Sequence, residues 1–278
     1  MKIAIIPNEN KQDYIENTSL VCARLLSLGH HIVLPQKLRM GISFDESEYA
    51  DTRDIFRECD MIIAVGGDGT IMHKAKAAAQ FGKPVLGINA GRLGYLAGLE
   101  MSELDELKYL CTDHFKTEKR MMLRVALENG KSFHAVNDCV VYRGASGRMA
   151  DFVITAEGHR VIKCRADGII AATPTGSTGY SLSAGGPIID PSTECIMITP
   201  ICAHSLSSRP VLFGADTRLI ITIPESSSEN GVLTIDGETI APVERMSGVS
   251  IERSDKFAYI MRKSNISFYK TLQSKLNI

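Results

Sequence analysis

The sequence predicts an α/β half built on a parallel sheet, followed by a mainly antiparallel β half. Three observations carry this expectation. In the first hundred residues short apolar runs alternate with stretches of helical periodicity, the pattern of strands joined by crossover helices. Beyond residue 117 strand-like runs flank Asn-Gly and Glu-Gly pairs, the pattern of hairpins. The length, 278 residues, is that of two domains.

Taken in order, KIAII is a buried strand, and Tyr14, Thr18, Val21, Leu25 and Leu28 recur at spacings of three and four before Gly29, giving a helix and its terminator. HIVLP is a second strand. Residues 35 to 49 lack periodicity and are expected to be a loop. A short helix over 52 to 58 leads to a third strand, DMIIAV (60 to 65), and a helix over 70 to 81 leads to a fourth, KPVLGIN (83 to 89). In the second half, RMMLRVALENGKSFHAVNDCVVYR turns at Asn129-Gly130 and MADFVITAEGHRVIKCRADGIIAAT at Glu157-Gly158. CIMITP, RLIITIP, GVLTIDGETI and KFAYIMRK add further β runs, and an amphipathic helix starts near Ser267. The expected organisation is a Rossmann-like α/β nucleotide-binding domain over 1–116, with the helix 266–278 packing back on it, a β-rich domain over 117–265, and a ligand cleft between them.

Composition narrows the function. With 31 basic and 32 acidic residues the net charge is −1, which gives no footprint for nucleic acid or an anionic membrane. Seven cysteines contain no C-x-x-C pair and read as reduced, mostly buried residues of a cytosolic protein. No apolar run suits a signal segment or a membrane span, so a soluble, cytoplasmic protein is expected. The seven histidines show no metal-ligand spacing.

VGGDGTIMHKA, 65 to 75, places Asp68 among Gly66, Gly67 and Gly69, with Thr70 following, where a parallel strand ends and a helix begins. That edge of an open α/β sheet is where ligands bind, and a helix N-terminus presents free amides to phosphate. A carboxylate there would repel phosphate unless a divalent metal bridges them or it does chemistry. The bland alternative is Asp68 as the helix N-cap. Neither G-x-x-x-x-G-K-[ST] nor G-x-G-x-x-G fits this turn. RADGIIAATPTGSTGYSLSAGGP, 165 to 187, offers hydroxyls at Thr173, Thr175, Ser177, Thr178, Ser181 and Ser183, a flexible backbone at Gly176, Gly179, Gly185 and Gly186, and the Tyr180 ring for stacking on a base. Asp167 has the type to accept from ribose hydroxyls. Asn137-Asp138, entering a β-branched strand, is by itself more often a turn than a ligand site.

GGDGT, Asn137-Asp138, Asp167-Gly168 with TPTGSTGYSLSAGGP, TPICAHSLSSRP (199 to 210) and IDGE (235 to 238), in that order, resemble the NAD kinases. The match spans roughly residues 60 to 240. GGDGT is shared with diacylglycerol and sphingosine kinases; the TPTGSTGY block is the specific part. The resemblance implies ATP-dependent phosphorylation of the adenosine ribose 2′-hydroxyl of NAD, giving NADP. It also implies a divalent metal, Mg²⁺ held mainly by ATP rather than by protein side chains, and a homo-oligomer, dimer or tetramer. Some members of the family also accept inorganic polyphosphate.

By position, Asp68 matches the proton acceptor, and Gly66, Gly67, Gly69 and Thr70 the phosphate-binding turn. Gly69 also matches a neighbour of the substrate. Asn137 and Asp138 match the pair that holds NAD, and Asp167 an acid on the same dinucleotide. Thr178, Gly179, Tyr180, Ser181, Leu182 and Ser183 match the loop lining its site. His73, Arg148 and Arg165 fall where the family has basic contacts. The family more often has Ala at Gly179 and Gln at Glu238, so a looser loop and an added negative charge near the product are expected. A lipid or sugar kinase sharing GGDGT would not carry the TPTGSTGY block, and a non-catalytic dinucleotide sensor would not need Asp68 with Asn137 and Asp138.

Overall fold

The computed structural model describes residues 1–91, 94–144, 148–205, 208–227 and 230–276. In chain order the first part comprises β1 (Lys2–Pro7), α1 (Tyr14–Ser27), β2 (His31–Pro35), β3 (Ser47–Ala50), α2 (Thr52–Glu58), β4 (Met61–Gly66), α3 (Asp68–Ala79), β5 (Pro84–Asn89) and β6 (Leu99–Glu100). The second part begins with β7 (Phe115–Leu127), β8 (Ser132–Ala135), β9 (Asp138–Arg143), β10 (Ala150–Ala156), β11 (His159–Ala166) and β12 (Gly168–Ala172). It continues through α4 (Tyr180–Ser183), β13 (Cys195–Ile201), β14 (Val211–Gly214), β15 (Leu219–Thr222), β16 (Gly231–Ile235), β17 (Glu238–Val243), β18 (Gly248–Lys263) and α5 (Phe268–Leu276). The expected terminal helix is α5; positions 277 and 278 of its expected range lie outside the described residues.

The chain divides into two compact units, Met1–Lys119 with Ala258–Ile278, and Arg120–Phe257. In the first, β3, β2, β1, β4 and β5 pair in that order, all parallel, and Tyr259–Met261 of β18 add alongside β5, also parallel. The strands β4 and β5 are buried almost throughout, the continuous apolar pattern of a sheet covered on both faces. Helix α1 buries Thr18, Val21, Cys22 and Leu25 and ends before Gly29, whose φ of +76° explains the glycine. The segment expected to be a loop contains the edge strand β3. Its four residues, Ser-Glu-Tyr-Ala, are all half-buried and lack the alternation that marks a strand in sequence.

In the second unit all six strands of one sheet, β14-β13-β12-β9-β16-β17, are antiparallel. The strands β11, β10, β15 and the start of β18 pair antiparallel in another, as do β7 and β8. The turns expected at Asn129-Gly130 and Glu157-Gly158 are present, with φ of +82° at Gly130, +49° at Glu157 and +78° at Gly158. A third tight turn at Asp236-Gly237, with φ of +51° and +81°, joins β16 to β17. The core of this unit draws on both sheets, with Phe152, Val141, Ile169, Ile198, Leu219 and Leu233 among its buried residues. All seven cysteines are free, five of them buried, and no helix among the described residues is long and apolar enough to cross a membrane.

Candidate active site

In the first unit β4 runs buried to Gly66, which pairs with Asn89 at the end of β5. Gly67 caps α3 with an extended backbone, and Asp68 is the first helical residue. The N-cap alternative for Asp68 is thereby overturned: the Asp68 carboxylate turns away from its own helix and accepts from the backbone N–H of Tyr95 at 2.5 Å and of Leu96 at 3.1 Å. A Cβ on the buried Gly94 would lie 1.6 Å from Asp68 Oδ1, so the loop can close on the carboxylate only as glycine. Burial, and then the Asp68 charge, raise the Tyr95 phenol above its usual range.

The glycines of the turn divide by role. A Cβ on Gly67 or Gly69 would meet nothing within 4 Å, leaving the backbone open to an incoming group. One on Gly66 would sit 2.8 Å from Thr70 Oγ1, so Gly66 makes room for the Thr70 side chain. Thr70 and His73 are half-buried on α3. The amides of the first turn of a helix have no partner within it and favour anions.

In the second unit Asn137 and Asp138 lead into β9, with Asp138 only 6% exposed. Their backbone is held from two sides. Thr173 Oγ1 donates to Val136 O at 2.6 Å and the Thr173 N–H to Asn137 O at 2.8 Å, while the Asp236 carboxylate accepts from the N–H groups of Val136, Asn137 and Asp138. Gly176 packs so closely that its Cβ would lie 2.1 Å from Asn137 O. Burial, and then the neighbouring Asp236 carboxylate, push the Asp138 carboxyl up to about 7.

The hydroxyl-rich block is used mostly on itself. Ser177 Oγ donates to Pro174 O at 2.6 Å and accepts from Ile189 N–H at 3.0 Å. Ser181 is fully buried, with its Oγ 2.8 Å from Thr199 Oγ1. Thr178 donates to Thr175 O at 3.3 Å. Leu182 is half-buried and Ser183 exposed, and the exposed Tyr180 ring lies 6.1 Å from that of Tyr142. Asp167 is paired with Arg143, Nε to Oδ1 2.7 Å, and Arg165 forks onto Asp151 across β10 and β11 at 3.1 and 3.3 Å. Arg148 and Glu238 are exposed.

Gly179 has φ of −96°, which any residue can adopt, and its Cβ would lie 3.2 Å from Gly176 O, 3.8 Å from Asn137 Nδ2 and 3.9 Å from Asp138 Oδ2. A methyl there needs a shift of a few tenths of an ångström and then rests on the Asn-Asp pair. We therefore expect Gly179→Ala to fold, with a stability within about 1 kcal/mol of the parent, the lower entropy of the unfolded chain offsetting the contact with Gly176 O. Thermal melting checks this, and a larger loss would show that Gly176 cannot give way at position 179.

Several residues of the site escaped the sequence reading. Gly94 and the amides of Tyr95 and Leu96 act through the backbone, which no residue type advertises. Asp236 lay inside the quoted IDGE motif, but its partners are about a hundred positions away. Arg143, at the end of β9, was visible only as a charge closing a strand.

A helix start with open glycine backbone and a rigidly held carboxylate is the equipment of an enzyme that moves phosphoryl groups. Family models described as the ATP-NAD kinase N-terminal domain and the ATP-NAD kinase C-terminal domain match residues 3–114 and 136–263. The NAD kinase of Caldanaerobacter subterraneus subsp. tengcongensis is 37% identical over 280 residues, covering 99% of this chain and 98% of the relative. Among solved structures, yeast NADH kinase complexed with NADH superposes with a TM-score of 0.89 at 24% identity, covering 100% of this chain and 88% of that one. An NAD kinase from Archaeoglobus fulgidus in complex with ATP gives 0.78 at 24% identity, covering 100% and 99%. The chain belongs to the NAD kinase family.

Proposed function

We propose that the enzyme transfers the γ-phosphoryl group of MgATP to the 2′-hydroxyl of the adenosine ribose of NAD, giving NADP and ADP, with Asp68 as general base. The ribose oxygen attacks the γ-phosphorus, the bond to the ADP oxygen breaks, and the hydroxyl proton passes to Asp68. The observation that carries this is the Asp68 carboxylate, fixed by two amides beside the open backbone of Gly67 and Gly69. Those amides occupy two of its roughly four acceptor positions and leave others for the hydroxyl. The first-turn amides of α3, with Thr70, suit the donor phosphates, and Mg²⁺ enters with them as part of the substrate. Asn137, Asp138, Asp167 and the loop from Thr178 to Ser183, shaped from within by the buried Ser181, hold the dinucleotide, with His73, Arg148 and Arg165 contributing at its edges and Glu238 adding a negative charge beside the product. Incubating the purified protein with NAD, ATP and Mg²⁺ should yield NADP; no product with ATP and none with inorganic polyphosphate would overturn the reading.

Cytoplasmic location and a homo-oligomer belong to the same proposal. The exposed Val211 and Leu212 on the edge strand β14 support self-association, and light scattering measures the state.

A pH dependence follows from Asp138. Its carboxyl titrates near 7, and a ligand donating to it binds the ionised form better. Below that value the proton must leave before the ligand's donors are fully accepted, so NAD affinity falls as pH falls. Between pH 8 and pH 6 the ionised fraction, and with it the affinity, drops about tenfold by the titration relation. Asp138→Asn should bind NAD weakly and flatten this dependence. An unchanged Kd across that range in the parent would remove Asp138 from the dinucleotide contacts.

A further inference from the structure

Asp236 occupies the first position of the two-residue turn between β16 and β17, at φ of +51°, with Gly237 following at +81°. Asp-Gly is a favoured pair for such a turn, and the turn alone would account for it. The side chain goes further than the turn requires. It is 6% exposed and reaches the approach to β9, where Oδ2 accepts from Val136 N–H at 3.1 Å and Oδ1 from Asn137 N–H at 2.8 Å and Asp138 N–H at 3.3 Å. The Asp236 N–H returns a bond to Asp138 O at 2.9 Å. Three successive amides converging on one group make an anion-binding concavity, filled here by the chain's own carboxylate.

The chemistry of that cradle is selective. Three converging donors require a group that only accepts, and an ionised carboxylate is the side chain that does so. An amide would have to turn an N–H₂ toward one of the donors. The cradle also sets a second carboxylate beside the buried Asp138, an electrostatic cost that a turn residue alone would avoid. Thr173 and Gly176 secure the other side of the same backbone through Val136 O and Asn137 O, so residues 136 to 138 are gripped on both sides.

We propose that Asp236 is a positioning residue for dinucleotide binding: by clasping the amides of Val136, Asn137 and Asp138 it fixes the directions in which the Asn137 and Asp138 side chains meet the ligand. This rests on the reading of Asn137 and Asp138 as dinucleotide contacts. Asp236 touches no ligand itself and acts through the pair.

Two variants separate the side chain from the turn. Asp236→Gly keeps the left-handed backbone and deletes the clasp; Asp236→Asn keeps shape and the Oδ1 bonds but sets an N–H₂ against Val136. In full-length enzyme, amide hydrogen exchange at 136, 137 and 138 without ligand should accelerate strongly in Asp236→Gly and partly in Asp236→Asn. The KM for NAD should rise about tenfold in Asp236→Gly, the size expected for a lost charge-assisted contact, with the ATP KM and kcat within about twofold of the parent. In an Asn137→Ala, Asp138→Asn background Asp236→Gly should add little further, because Asp236 acts through that pair. Exchange unchanged at these amides, an NAD KM unchanged despite faster exchange, or the same fold-increase in both backgrounds would each overturn the proposal. An Asn137→Ala, Asp138→Asn enzyme with parental NAD KM would instead defeat the assignment of the pair, and the exchange rates would still decide the clasp. If Asp236→Gly fails to fold, the same criteria apply to Asp236→Asn.

Discussion

Asp68→Asn is expected to lower kcat by at least ~10² and up to ~10⁴, the range for a lost general base, while the NAD dissociation constant stays near the parent value. A ribose hydroxyl is a poor nucleophile at neutral pH, and the asparagine amide cannot take its proton. Size and shape are nearly conserved, so the loss falls on chemistry rather than on ligand fit. The structural cost is defined by the contacts: the parent carboxylate accepts from both Tyr95 and Leu96, whereas the amide accepts through one atom and turns N–H₂ toward the other donor. That orphaned amide costs about 1 to 3 kcal/mol of stability, a lowering of the melting temperature but not unfolding. Turnover, calorimetric titration of NAD and thermal melting on the same preparation separate the effects. Turnover within about threefold of the parent would reject Asp68 as the base, and a fall in turnover matched by an equal fall in folded fraction would assign it to stability.

How much of this was legible in the sequence depends on distance along the chain. The parallel sheet was readable because β1, β4 and β5 are continuous apolar runs bounded by turn residues, and the hairpins because Gly130 and Gly158 need φ above zero. The edge strand β3 was not, since its pairing with β2 leaves no periodic trace in Ser-Glu-Tyr-Ala. At the site, residue types could place Asp68 at the end of β4 but not its direction, which is set by amides 27 and 28 positions onward. The N-cap alternative failed for that reason. The hydroxyl block shows the converse: Thr173, Ser177 and Ser181 read as donors for a ligand, yet their bonds close the loop and hold the backbone of the Asn-Asp pair.

Gly94→Ala is expected to reduce kcat on the scale of Asp68→Asn, by about 10² or more, with every catalytic functional group still present. The added Cβ would stand 1.6 Å from Asp68 Oδ1, 2.2 Å from Cγ and 2.6 Å from Oδ2, which leaves the carboxylate no position that keeps its bonds to Tyr95 and Leu96. Either the loop withdraws or Asp68 changes rotamer. Both separate the base from the amides that aim it, and the overpacking costs about 1 to 3 kcal/mol of stability. The comparison of the two variants therefore divides what Asp68 does into identity and placement: Asp68→Asn removes the base but leaves the loop, whereas Gly94→Ala leaves the base and removes its seat. Because both act on one carboxylate, the double variant should be scarcely slower than Asp68→Asn alone. A Gly94→Ala enzyme with parental turnover and melting temperature would show that the 94–96 loop does not hold Asp68 in the working enzyme, and fully additive losses would show that it serves catalysis by another route.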